Sequence, residues 1–153
     1  MEKSLDEIDK KLLRILQDDS SLSTKELAAR VHLSPTPIYE RVKHLHKNGF
    51  IKKYVAILNK DTLNYISVFC NIRLKKHSKD CMLDFVESIR NIEEVTECYN
   101  ISGDFDYMLK IVARDMDHYQ EFVRERLGVI DSIGSLHSLF VLKEEKNSFA
   151  IPL

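Results

Sequence analysis

The sequence predicts an α+β chain in two parts. A three-helix, helix-turn-helix module spans residues 1–50, and a β-α-β-β-α-β domain spans 66–153, with a linking strand and hinge at 51–65. Three observations predict it. Apolar residues keep helical spacing up to Leu45, then switch between strand alternation and helical spacing from Val68 onward. Helix start and stop signals follow one another closely in the first part. Charge divides near the same place: residues 1–60 hold twelve Lys/Arg against eight Asp/Glu, a net of +4, and the remainder holds eleven against sixteen, a net of −5. The overall charge of −1 therefore hides a basic front half, and such asymmetry points to a polyanion partner.

In the first part, Leu5, Ile8, Leu12, Ile15 and Leu16 form one stripe of a first helix, which ends at Asp18-Asp19-Ser20-Ser21. Ser23 and Glu26 make a capping box for a second helix that buries Leu27, Ala28 and Val31. Ser34 can cap a third helix, with Pro35 at its first position and Pro37 still inside the first turn, where no intrahelical N–H is needed. Asn48-Gly49 is a C-terminal stop. Ile51 to Asn59 alternates and is rich in β-formers, so a strand is expected, followed by a bridge at Lys60–Asn64.

In the second part, Val68, Cys70, Ile72 and Leu74 alternate as a strand. Met82, Phe85, Val86 and Ile89 form a helical stripe. Val95–Ile101 and Tyr107–Ala113 read as strands joined by Ser102-Gly103-Asp104-Phe105-Asp106. Tyr119, Phe122, Val123 and Leu127 mark a second helix, and a last strand runs from Ile133 to Lys143. That order is the ferredoxin-like split unit.

Composition bounds the function. With 44% hydrophobic and 31% charged residues but only 4 Gly and 3 Pro, the chain is neither disordered nor collagen-like. The acidic start at Met1–Glu7 is no signal peptide, and no apolar run approaches the ~20 residues that span a bilayer, so a cytoplasmic location without membrane partners is expected. Cys70, Cys81 and Cys98 make no C-x-x-C pair and read as small apolar fillers in a reducing compartment. No cofactor or metal set is indicated.

Two short helices across a tight turn are the helix-turn-helix pattern, whose second helix enters the DNA major groove. On the third helix, Ile38, Val42 and Leu45 cluster on the core side. Thr36, Glu40, Lys43 and Lys47 lie opposite, flanked by Tyr39 and His44. Ser34 and Pro35 open this helix, and Lys52 and Lys53 follow it as a basic wing. Arg41 sits nearer the core flank, where a phosphate contact and an ion pair with Asp9 are both open. Residues 34–53 hold five Lys/Arg and one acid. A solvated helix face could carry the same charges; the conjunction with capping box, short turn and basic strand favours DNA.

The stretches Leu5-Asp6-Glu7-Ile8-Asp9, Leu27-Ala28, Leu33-Ser34, Arg41-Val42 and Gly49-Phe50-Ile51 resemble the Lrp/AsnC family of feast/famine transcription regulators. Ser102–Tyr107 and the tail Val141-Leu142-Lys143-Glu144 … Ile151-Pro152-Leu153 resemble its amino-acid-sensing RAM domain, and the match runs through the whole chain. The resemblance implies a winged helix-turn-helix head that reads double-stranded DNA near the nucleoid. It further implies a RAM domain that dimerises through its sheet, with dimers assembling to tetramers, octamers or more, and a small effector, usually an amino acid, at an interface. Candidate effector residues are Tyr99, Ser102, Gly103, Asp104 and Asp106, with Leu136 and Ser138 standing where relatives often carry two threonines. A plain hairpin turn is the alternative for this loop on the residues alone. Two more departures stand out: His32 replaces a common glycine, and Asn64 replaces part of a usual Leu-Gly pair. Some sirohaem decarboxylases resemble the same family, but Arg73, Arg114, His118 and His137 form no recognisable catalytic set, so no enzyme is expected.

Overall fold

The computed structural model describes residues 4–153; Met1, Glu2 and Lys3, part of the acidic start noted above, lie outside the described residues. The chain divides into a first unit that ends at Ile57 and takes back Lys146–Leu153, and a second unit, Leu58–Glu145. This division differs from the sequence expectation, because the final eight residues belong with the head.

Capping fixes the start of the head's first two helices. Before α1 (Glu7–Asp18), Asp9 N–H donates to Asp6 Oδ1 at 2.8 Å and Asp6 N–H donates to Asp9 Oδ2 at 3.3 Å, a reciprocal box built from two aspartates. The expected box opens α2 (Thr24–Val31): Ser23 N–H donates to Glu26 Oε2 at 2.7 Å and Glu26 N–H donates to Ser23 Oγ at 3.4 Å. The Ser23 hydroxyl, then its backbone N–H, hold the Glu26 carboxyl below the usual range. Helix α3 (Pro35–Lys47) departs from expectation at its start. Ser34 occupies the N-cap position but its hydroxyl makes no capping bond. The third residue of the helix is Pro37, which has no N–H to donate.

Leu12, Leu13, Leu16, Leu27, Ala28, Val31, Ile38 and Leu45 form the head's core. Each larger side chain contributes about 1.5–3 kcal/mol by leaving water. The turn between α2 and α3 passes through His32 in the left-handed region at φ +57°, and Gly49, after α3, is left-handed at φ +77°.

The strand expected over 51–59 is absent. Its alternation is real, but a strand needs a neighbouring strand to take its N–H and C=O groups, and among the described residues none pairs with this segment. Val55, Ile57 and Leu58 are exposed instead. The tail behaves oppositely, for α1 supplies partners. Ile151 N–H donates to Gln17 Oε1 at 2.6 Å while Gln17 Nε2 donates back to Ile151 O at 3.2 Å. Arg14 donates from Nε and Nη2 to Leu153 O at 2.9 and 2.5 Å. Phe149, Ile151 and Leu153 join Leu13, Leu16 and Ile51 around an apolar cavity of about 400 Å³.

The second unit is β1 (Ile66–Leu74), α4 (Lys79–Ile89), β2 (Val95–Asn100), β3 (Tyr107–Ala113), α5 (Met116–Phe122) with a final π-helical turn at Val123–Leu127, and β4 (Ile133–Phe140). Its sheet has the order β2-β3-β1-β4 with every neighbour antiparallel, as the ferredoxin-like pattern requires. Period two sets the faces. Val68, Cys70, Ile72 and Leu74 lie beneath the helices with Leu109, Ile111, Phe85, Tyr119 and Phe122. Phe69, Asn71 and Arg73 take the opposite, open face.

The last strand stops at Phe140 rather than Lys143. Val141 N–H still donates to Ser67 O at 3.1 Å, but β1 begins at Ile66 and offers little beyond. Asn64, before β1, is left-handed at φ +59°. Of the cysteines, Cys70 is buried as expected, while Cys98 is an exposed thiol on edge strand β2.

Candidate nucleic-acid interface and effector site

Helix α3 is anchored by Ile38 and Leu45, each almost wholly buried, so its opposite side must face out. Ser34, Pro35, Thr36, Tyr39, Glu40, Lys43, His44 and Lys47 are all exposed, as is Lys52 after the helix. Lys43 Nζ lies 5.9 Å from the centre of the Tyr39 ring, a cation–π contact that steadies both side chains. Otherwise Ser34, Thr36, Glu40, His44, Lys47 and Lys52 make no side-chain hydrogen bond or ion pair among the described residues. Unused donors grouped on one basic face can meet phosphates and base edges.

Arg41 is placed differently. Its Nη1 lies 2.6 Å from Asp6 Oδ2 and 2.8 Å from Asp9 Oδ1. Of the two roles open to it in the sequence, the geometry takes the ion pair. The Asp9 backbone N–H and then the Arg41 guanidinium hold the Asp6 carboxyl below its usual range. Arg41 thus braces α3 against the N-terminus of α1 through Nη1.

The seven candidate effector residues do not share a face. Ser102, Gly103 and Asp104 form an exposed loop between β2 and β3. Gly103 has φ +112°, with open space where a Cβ would stand, so backbone conformation and not crowding demands glycine. Asp106, offered above as an ammonium acceptor, is buried and already engaged. Its Oδ2 accepts from Leu74 N–H at 2.8 Å, and His77 Nδ1 lies 2.9 Å from its Oδ1. Its backbone carbonyl accepts from Ile101 N–H and Asn100 Nδ2, at 3.0 and 2.9 Å. Tyr99 lies on the open sheet face opposite Met108 and donates to Glu97 Oε2 at 2.6 Å.

Leu136 and Ser138 turn the other way. Opposite Ile72 and Cys70, they face the helical layer, and Ser138 Oγ is 2.6 Å from Tyr119 Oη. Burial pushes the Tyr119 hydroxyl up to about 12, so this hydrogen bond stays within the core at any physiological pH.

Sequence reasoning missed the residues that hold the loop. Arg73 donates from Nε and Nη2 to Asp104 O at 3.0 and 2.6 Å and lies 5.6 Å over the Phe105 ring, which in turn meets His137 edge-on at 6.1 Å. The signal was present in the alternation of β1, which puts Arg73 on the open face with Asn71, across from His137 on β4.

Comparison with known proteins decides the family. Residues 5–52 match a winged helix-turn-helix DNA-binding domain and residues 67–151 match the Lrp/AsnC ligand binding domain. The chain belongs to the Lrp/AsnC family. It is 40% identical over 147 residues to leucine-responsive regulatory proteins of Klebsiella pneumoniae and Escherichia coli K12, covering 95% of this chain and 90% of theirs. A Neisseria meningitidis transcriptional regulator solved as a complex with L-Met superposes with a TM-score of 0.93 at 34% identity, covering 97% of both chains. An AsnC-family regulator from Agrobacterium tumefaciens gives 0.90 at 36%, with the same coverage. This Lrp/AsnC regulator is thus a transcription regulator with a DNA-binding head and a ligand-binding body. No helix among its described residues is long and apolar enough to cross a membrane.

Proposed function

We propose that this Lrp/AsnC regulator docks the outward face of α3 in the DNA major groove, using Ser34, Thr36, Tyr39, Glu40, Lys43, His44 and Lys47, with Lys52 on the backbone nearby. The observation that carries the reading is the unpaired, basic outward face of α3. Two heads on one duplex require a dimer, and the open sheet face bearing Phe69, Asn71 and Met108 is the surface suited to it. Further assembly to tetramers or octamers fits the same scheme, with the protein working on cytoplasmic DNA.

The effector is an amino acid held near residues 99–106. The Neisseria regulator's L-Met complex and the leucine-responsive relatives make L-Met and L-Leu the first candidates. Asp106 acts there by shaping the loop. Effector binding changes DNA affinity only through unequal affinity for two assembly states.

The test is a double charge reversal, Lys43→Glu with Lys47→Glu, read by mobility shift. DNA affinity should fall at least ~100-fold, since two phosphate-attracting charges become repulsive, while size-exclusion elution stays unchanged. Unaltered affinity contradicts the assigned face. A thermal-shift screen with the twenty amino acids tests the effector, because a ligand of the native state raises its melting temperature.

A further inference from the structure

We infer that Glu40 reads an amino group on a base edge, cytosine N4 first, and so sets one position of the DNA sequence this regulator selects; the inference rests on the α3 docking proposed above. Glu40 stands in the middle of the outward stripe Thr36–Glu40–Lys43–Lys47 and is exposed. Lys43 at i+3 and His44 at i+4 sit at the spacing where helix ion pairs form, yet the Glu40 carboxylate pairs with neither. Lys43 lies over the Tyr39 ring instead. Glu40 is also the one acid against five Lys/Arg in residues 34–53.

On a surface built to meet phosphates, a lone carboxylate weakens binding to every sequence alike unless a donor awaits it. An ionised carboxylate only accepts hydrogen bonds. Phosphate oxygens, guanine O6 and N7, and thymine O4 are acceptors as well, so all of them repel it. The donors exposed in the major groove are the amino groups of cytosine and adenine. Adenine sets its acceptor N7 beside that amino group, facing the second carboxylate oxygen. Cytosine sets a C–H there. Cytosine is therefore the better partner, and Lys43 can donate to the O6 and N7 of a nearby guanine.

Selection from a randomised duplex pool, with the full-length protein and its Glu40→Gln and Glu40→Ala variants, tests this. Both variants should fold normally, because the wild-type side chain has no partner to lose among the described residues. Wild type should prefer cytosine at one position of each half-site by roughly 5- to 100-fold over the other bases. Glu40→Gln should move that preference to adenine, whose N6 and N7 suit a carboxamide. Glu40→Ala should flatten it, binding sites without that cytosine more tightly while gaining nothing at the cytosine site. If both variants instead gain affinity equally for every sequence and keep the wild-type preference, Glu40 is a solvated acid and the inference fails. The Lys43/Lys47 reversal separates causes. Lost binding in that reversal beside an unmoved base preference in the Glu40 variants overturns the reading of Glu40 alone. Retained binding overturns the docking, and the Glu40 inference with it.

Discussion

The two units use polar side chains in opposite ways. In the head, the outward groups of α3 are left unpaired, and Ser34 does not even cap its own helix. In the body, several polar groups of the candidate site are satisfied within the chain: Asp106 by Leu74 and His77, Asp104 O by Arg73, and on the helical face Ser138 by Tyr119. The difference follows from the partners. A polyanion is met by a ready-made array of donors on one rigid element. A small effector needs a loop held in one shape, and Arg73 and Asp106 supply contacts that hold this one.

Changes that break the body's internal bonds should therefore act on stability before binding. Asp106→Ala removes the acceptor of a buried N–H and should destabilise the body by about 1–3 kcal/mol, read as a lower denaturant midpoint with DNA affinity preserved wherever the dimer survives. An unchanged midpoint would mean the loop carries its own shape without that carboxylate. In the head, Gln17→Ala removes both hydrogen bonds to Ile151 and should cost about 1 kcal/mol. Exchange of the Ile151 amide should then accelerate, and equal protection in both proteins would show that packing alone holds the tail.

The smallest effect expected is a gain. His32→Gly relieves a left-handed residue, offset by glycine's extra freedom in the unfolded chain, for a net stabilisation of about 0.5–1 kcal/mol. A loss would mean that the His32 side chain contributes a contact worth more than its strain.

Much of the fold was legible because local signals and burial agreed. The stripe Leu12–Leu16, the Ser23–Glu26 box, the Asn48-Gly49 stop and the strand Tyr107–Ala113 each carry their cause within a few residues. The failures share a cause of another kind. The strand over 51–59 has the right alternation, but strand formation depends on a partner that lies elsewhere. The tail's place on α1 depends on Gln17 and Arg14, more than 130 residues away. Ser34 has the right residue type for a cap, yet Pro37 withholds the N–H.

The outward face of α3 could be read from its wheel because exposure on a helix is periodic. The effector loop could be located but not resolved into roles, since strand register decides that Ser138 faces Tyr119 while Tyr99 faces the other way. The two positions where glycine was expected, His32 and Asn64, are the non-glycine residues with positive φ among those described, so the departures fall where the backbone feels them most.

Hydrogen exchange of the full-length protein, alone, with selected DNA and with a stabilising amino acid, tests the division of labour most directly. DNA should protect residues 34–53, and the amino acid should protect the chain around 99–106. DNA protection centred on the body, or amino-acid protection centred on α3, would contradict the account.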